Sequence, residues 1–198
     1  MRILHYSLGI YPHRIGGLNR YCTDLMREQS KTNQVALLYP SGYSIWQRKC
    51  YVSKPNERDG ISCYRLINAE PVPLMYGIKN PSDFFGRQIL INSFEKFYNE
   101  FRPEVLHLHT LMGMPEDALR FFKTKGVRIV YTSHDYFGVC PKVNFINNDG
   151  NLCNEPCPKQ CAQCNIYAPS SLFLKIRNSE MAFTIRDFFL WIKSLIYS

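Results

Sequence analysis

The chain has 198 residues, 45% hydrophobic and 14% aromatic, enough to bury a substantial core; this excludes a disordered chain and bounds the molecule to one α/β-sized domain or two small ones. A formal net charge of +8, from 24 Lys and Arg against 16 Asp and Glu, favours anionic partners: nucleotide phosphates, lipid head groups or nucleic acid. No window reaches the charge-free apolar length of a transmembrane helix, because the greasiest segment, MAFTIRDFFLWIKSLIY, is interrupted by Arg186, Asp187 and Lys193.

The stretch MRILHYSLGIYPHR has an early Arg and an apolar run but neither a long hydrophobic region nor a small-residue cleavage site, so it does not read as a signal peptide. The expected location is cytoplasmic, free or at the inner face of the membrane. Thiols there stay reduced, so the eight cysteines are expected as buried residues or metal ligands ahead of disulfides.

RILHYS (2–7) is a short apolar run of buried-strand type, after which Leu18, Tyr21, Cys22, Leu25 and Met26 recur on one helical face. QVALLYP and GISCYRL (60–66) read as the next strands, with a mixed stretch between them that reads as a loop with a short strand. Beyond NAEPVPLMYGIKNP, Ser82 reads as the N-cap of a long helix carrying Phe85, Ile89, Phe94, Phe97, Tyr98 and Phe101, stopped by Pro103. EVLHLHT is a strand, MPEDALRFFKTK a helix with Pro115 near its first turn and Gly126 past its last, and VRIVYTSHD a further strand. This alternation predicts an α/β fold: a Rossmann-like, mostly parallel sheet with helices on both faces, in one domain over residues 1–198.

From about 136 to 168 the chain turns loop-like and rich in Cys, Pro and Asn, which reads as an insertion on the sheet. The tail, about 170–198, resumes helical spacing. Its polar residues form a narrow stripe, Ser179, Arg186 and Lys193 shadowed by Glu180, Asp187 and Ser194. Such a helix needs cover from the sheet, another polypeptide or a membrane surface.

Ligands of open parallel sheets bind outside the carboxyl ends of the strands, where strand order reverses. Three polar features fall there by sequence: Gly16-Gly17 after the first strand, His109 closing VLHLH, and Ser133, His134 and Asp135 closing RIVYT. The glycine pair opens a helix whose N-terminal amides and dipole suit a phosphate group; the alternative is a tight turn with no ligand. Neither G-x-G-x-x-G nor G-x-x-x-x-G-K-[ST] is present, which weighs against simple dehydrogenases and ATPases. His134 and Asp135 read either as donor and acceptor to a sugar or phosphate ester, or as a loop end bonded to backbone.

His107 and His109 share a strand face, but with no carboxylate at matching spacing they read as packed or surface imidazoles ahead of a metal pair. Asp83, Glu95, Glu116 and Asp117 are expected on solvated helix faces. Cys153, Cys157, Cys161 and Cys164, spaced C-x3-C-x3-C-x2-C with Cys140 upstream, suit a structural zinc; an iron–sulfur cluster and free or oxidised thiols are the alternatives. Cys22, Cys50 and Cys63 read as small core residues.

HYSLGIYPHRIGGLNRYCTDLM, VLHLHTLMG, TSHDYFGVCP and NNDGNLC, in this order and followed by further cysteines, resemble the N-terminal half of family 4 retaining glycosyltransferases of the GT-B fold, over residues 1 to about 171. The resemblance implies a Rossmann-like acceptor domain. It places Gly16 and Gly17 against the diphosphate of a nucleotide-diphosphate sugar and His134 at the donor sugar with Asp135 beside it. It further implies metal-independent transfer with retention, with no cofactor required for catalysis, to a glycan or lipid-linked acceptor. Family members carry a second, donor-binding half that nothing here matches, so the expectation is a fragment or one part of a split enzyme, inactive alone. The competing reading is a zinc-stabilised basic module for nucleic acid or a partner protein. Its aromatic residues sit at core spacing, not between Lys and Arg, which argues against nucleic acid.

Overall fold

The computed structural model describes residues 1–10, 14–44, 46–155, 157–179, 181–182, 185, 188–189 and 192. Seven strands form one sheet: β1 (Arg2–Tyr6), β2 (Gln34–Pro40), β3 (Tyr51–Val52), β4 (Asn56–Arg58), β5 (Ile61–Ile67), β6 (Val105–Leu108) and β7 (Arg128–Tyr131). The helices are α1 (Gly17–Ser30), α2 (Ile91–Phe101), α3 (Glu116–Thr124), α4 (Pro158–Cys164) and α5 (Ser171–Arg177).

Along the sheet the order is β3-β5-β2-β1-β6-β7, with β4 also paired to β5. The five strands β5, β2, β1, β6 and β7 are parallel, and β3 and β4 run antiparallel against β5. The chain therefore works outward from β1 to β5, then returns to β1's other side for β6. The carboxyl ends of β1 and β6 are the point where strand order reverses, the crevice in which open α/β sheets bind ligands.

Alternation of side chains divides the core by face. Leu4, Tyr6, Leu106 and Leu108 pack with Phe94 and Phe97 of α2 and Ala118, Phe121 and Phe122 of α3. On the opposite face, Val35, Leu37 and Cys63 meet Cys22 and Met26 of α1. Cys22, Cys50 and Cys63 are buried, as expected of small core residues. Helices cover both faces, so the mostly parallel α/β sheet expected from the alternation is the architecture of the chain.

Three expectations change. The long helix read from Ser82 begins only at Ile91, because Gly86 (φ 84°) turns the chain and residues 88–90 pair in extended form with Cys50; Ser82 sits instead in the single 3-10 turn Pro81–Phe84. Phe85 is exposed and Ile89 is buried in that bridge, so neither belongs to α2. The loop-like insertion contains α4 and a bridge between Ile146 and Leu152. The tail is not one helix from 170: α5 stops at Asn178, and helix resumes at Met181 with Met181, Ile185, Phe188 and Phe189 exposed. Of its polar stripe, Glu180, Arg186, Asp187, Lys193 and Ser194 lie outside the described residues. No helix among the described residues is long and apolar enough to cross a membrane.

Candidate functional site

The loop after β1 returns the chain to α1, whose first residue is Gly17 and whose N-cap is Gly16. Asn19, nearly buried, anchors it: its amide oxygen accepts from Ser7 Oγ at 2.7 Å and its Nδ2 donates to the Arg14 carbonyl at 3.3 Å. No side chain caps α1, no acidic residue occupies its first turn, and the amides of Gly17, Leu18 and Asn19 have no acceptor among the described residues. A Cβ built on Gly16 or Gly17 would meet nothing within 4 Å. Gly16, at φ 157°, holds a backbone conformation that L side chains rarely adopt, whereas neither packing nor backbone demands glycine at Gly17, beside the unpaired amides of the first turn.

The second wall is a row of histidines. His5 and His107 are register partners on β1 and β6, and His109 follows two residues on, so all three project to the face that α1 covers. His5 Nδ1 and His109 Nε2 share a hydrogen bond of 3.0 Å; His5 Nε2 is 2.8 Å from Gln29 Oε1 on α1; His109 Nδ1 is 3.3 Å from His134 Nε2. His107 Nε2 is 2.8 Å from Thr132 Oγ1. Burial removes the water that would solvate an imidazolium. It pulls His5 down to about 4, against the Gln29 hydrogen bond, and His109 down to about 3 with the neighbouring histidines adding to the fall. His107 is lowered too, by burial and then by His134.

His134, after β7, is exposed and ends this row. The edge of the Tyr21 ring packs on it, with centroids 4.9 Å apart, and Tyr21 lies one turn after Gly17. The paired glycines and His134 thus lie on the same side of the sheet, joined through α1. Asp135 is placed differently from a ligand-facing partner of His134: its Oδ1 accepts from the Phe137 amide at 2.9 Å, an Asx turn that shapes the loop. His109, expected as a ligand contact, is fully buried, bonded to the exposed His134 and flanked by the Tyr21 ring.

The loop beyond His134 runs into a cavity of about 590 Å³ lined by apolar side chains, among them Phe84, Leu111, Met114, Leu119, Phe137 and Val139, with Glu70 at its wall. Glu70 is buried, accepts from the Arg87 amide at 2.6 Å, and has its carboxyl raised by burial.

The cysteines gather but do not converge as the spacing suggests. Cys140, Cys153, Cys161 and Cys164 line one small cavity, whereas Cys157 caps α4, its Sγ accepting from the Gln160 amide. Among the described residues no three of these sulfurs lie within 4.8 Å of one another; the group that does is His5, His107 and His109. All of these thiols are free. Burial and then the neighbouring thiols of Cys153, Cys140, Cys157 and Cys164 raise the Cys161 thiol, so all five gather in the insertion. Sequence reading also missed His5, Gln29, Thr132 and Tyr21; period-two alternation puts His5 on a face, but the β1–β6 register that brings it to His107 is not written in either strand.

Fold and site together define a doubly wound α/β domain with a helix N-terminus that no side chain caps and a histidine row at its topological switch point. No protein-family model and no curated protein matches the chain. Among solved structures, the catalytic domain of starch synthase IV from Arabidopsis thaliana, bound to ADP and acarbose, aligns at 17% identity and TM-score 0.38 over 68% of this chain and 34% of that one. This chain thus spans about a third of that chain's length.

Proposed function

We propose that the chain is the acceptor-side, Rossmann-like part of a retaining glycosyltransferase of family 4 type, taking a sugar from a nucleotide-diphosphate donor. The reading is supported by the contact of Tyr21, one turn into the helix that Gly17 begins, with His134, which puts the helix start and this histidine on one face of the sheet near the switch point. In this reading the uncapped amides of α1 receive the diphosphate, whose departure they and the helix dipole stabilise. His134 hydrogen-bonds the donor sugar, and no metal takes part in the transfer. The apolar cavity beside the His134 loop suits the hydrocarbon part of a lipid-linked acceptor, which would bring this face to a membrane surface. A donor-binding half on another segment completes the site. A structural zinc held by Cys153, Cys157, Cys161 and Cys164 would stabilise the insertion, where these thiols and Cys140 gather around Cys161, and no step of the transfer uses it.

The test is direct binding of UDP-glucose, ADP-glucose, GDP-mannose and pyrophosphate to the chain by ligand-observed NMR, followed by transfer assays with a family 4 donor half added. Expected are weak binding of nucleotide sugars and pyrophosphate by the chain alone, both weakened in Gly17→Ala and the nucleotide sugars alone weakened in His134→Ala, and turnover only with the second half. Binding indifferent to both substitutions overturns the reading.

A further inference from the structure

All four histidines among the described residues meet in one row at the switch point, and the reading above uses only His134. We infer that His5, His107 and His109 form a binding site for a divalent transition ion of the imidazole-binding class, Zn²⁺, between the carboxyl ends of β1 and β6. The inference does not depend on the glycosyltransferase reading.

One ring nitrogen from each of the three lies within 4.8 Å of the others. Tetrahedral zinc with Zn–N bonds of roughly 2.0–2.1 Å sets its nitrogens about 3.3 Å apart. The closest pair here, His5 Nδ1 and His109 Nε2, stands at 3.0 Å, already near that spacing. Their rings, 14° from coplanar, turn out of line to share an ion in place of a proton.

The outer nitrogens carry the stronger argument. A ligating imidazole offers one lone pair to the metal and donates its other N–H to an acceptor that orients the ring. Each of the three has such an acceptor: Gln29 Oε1 for His5 Nε2, Thr132 Oγ1 for His107 Nε2, and His134 Nε2 for His109 Nδ1. His107 Nδ1 then has no partner among the described residues. Two buried rings and one half-buried ring, each with its outer nitrogen bonded away from the group and with one nitrogen apiece inside a 4.8 Å cluster, are suited to a cation. A fourth position is left to water.

The ion also changes His134. Without it, Gln29 Oε1 sets the direction of the row: His5 Nε2–H donates to Gln29, His109 Nε2–H to His5 Nδ1, and His134 Nε2–H to His109 Nδ1, leaving His134 Nδ1 as an acceptor. With both inner lone pairs on the metal, His109 Nδ1–H must donate to His134 Nε2, so His134 Nδ1 carries the proton and becomes a donor. Metal occupancy therefore switches the free nitrogen of the exposed histidine.

The experiment titrates the untagged, chelator-stripped full chain with Co²⁺. Expected is one saturable site with visible d–d bands and no thiolate charge-transfer band, weakened more than tenfold in His107→Gln and unchanged in the combined variant Cys140→Ser, Cys153→Ser, Cys161→Ser and Cys164→Ser. In the wild-type chain, ¹⁵N imidazole shifts should show His134 Nδ1 gaining its proton as Zn²⁺ is added, a reading that stands even if His107→Gln fails to fold. Uptake only with thiolate bands, equal binding by His107→Gln, or His134 shifts unmoved by saturating Zn²⁺ overturns the site.

Discussion

Tyr21 presents its ring to His134 at 62° between planes, on the same helix that begins at Gly17. The contact fixes an exposed imidazole relative to the amides one turn away. Because an edge-to-face aromatic pair is worth roughly 0.5–1.5 kcal/mol, the proposed function requires Tyr21→Ala to weaken nucleotide-sugar binding about three- to tenfold and Tyr21→Phe to keep it. Isothermal titration of both variants against one donor decides; equal loss in Phe would mean the hydroxyl, not the ring, matters.

Gly17 is the cleaner probe of the phosphate reading. It has ordinary helical backbone and open space where a Cβ would go, so Ala fits without strain. Gly17→Ala should leave thermal stability unchanged or raise it by up to about 1 kcal/mol through helix propensity, yet reduce diphosphate binding more than about tenfold by closing the approach to the amides. Differential scanning fluorimetry and binding on the same preparation separate the two effects.

Much of the frame was legible because apolar runs and helical spacing are local properties. The strands β1, β2, β5, β6 and β7 and the helices α1 and α3 fall where those patterns put them. What failed was settled by distant partners. Cys50, on the other side of β5's strand pairing, holds residues 88–90 extended and so shortens α2, and nothing near Ser82 announces that. Likewise Gly16, Gly17 and His134 were readable as strand-end features, but the histidine row depends on the His5–His107 register. The cysteine spacing was plain in sequence; that Cys157 turns to cap α4 while Cys140 joins the others is a matter of loop path.

The insertion is fastened to the body through Asn165. Its Oδ1 accepts from the Ile78 amide at 2.7 Å and its Nδ2 donates to the Cys161 carbonyl at 2.7 Å. A Cβ on Gly77, at φ 81°, would collide with that Oδ1. Asn165→Ala should cost roughly 1–3 kcal/mol, two hydrogen bonds with one amide left stranded, and Gly77→Ala should break the same contact. The double variant should then cost clearly less than the sum of the two. Urea unfolding of the cycle, with hydrogen exchange in residues 140–165, tests this; strict additivity would place the two effects in separate contacts.

Arg102 ends α2 in the left-handed region, φ 50° and ψ 60°, where an L side chain is strained. Its amide donates to Tyr98 O and its carbonyl accepts from Arg2 Nε, both backbone groups that glycine retains. Arg102→Gly should therefore stabilise by about 1 kcal/mol, some 2–4 °C in Tm for a chain of this length. A scanning calorimeter reads the shift directly, and an unchanged or lower Tm would show that the arginine side chain stabilises as much as its backbone strain costs.

Glu70 gives the chain a pH dependence of defined sign. Burial raises its carboxyl above the ordinary 4.5, with the Arg87 amide and the charges of Arg87 and Lys175 acting in the opposite direction. A group that holds its proton more tightly when folded makes the folded state bind more protons between the unfolded and folded values, so stability falls as pH rises through that window. Above it the cost of ionising a buried carboxyl is fully present; below about pH 4 it is absent. Gln at this position keeps an oxygen for the Arg87 amide and has no charge to desolvate. Glu70→Gln should therefore match the wild type at acid pH and exceed it at neutral and alkaline pH, in urea midpoints taken from pH 3.5 to 8. A variant less stable than wild type at pH 8 would mean that attraction to Arg87 and Lys175 outweighs burial, reversing the sign argued here.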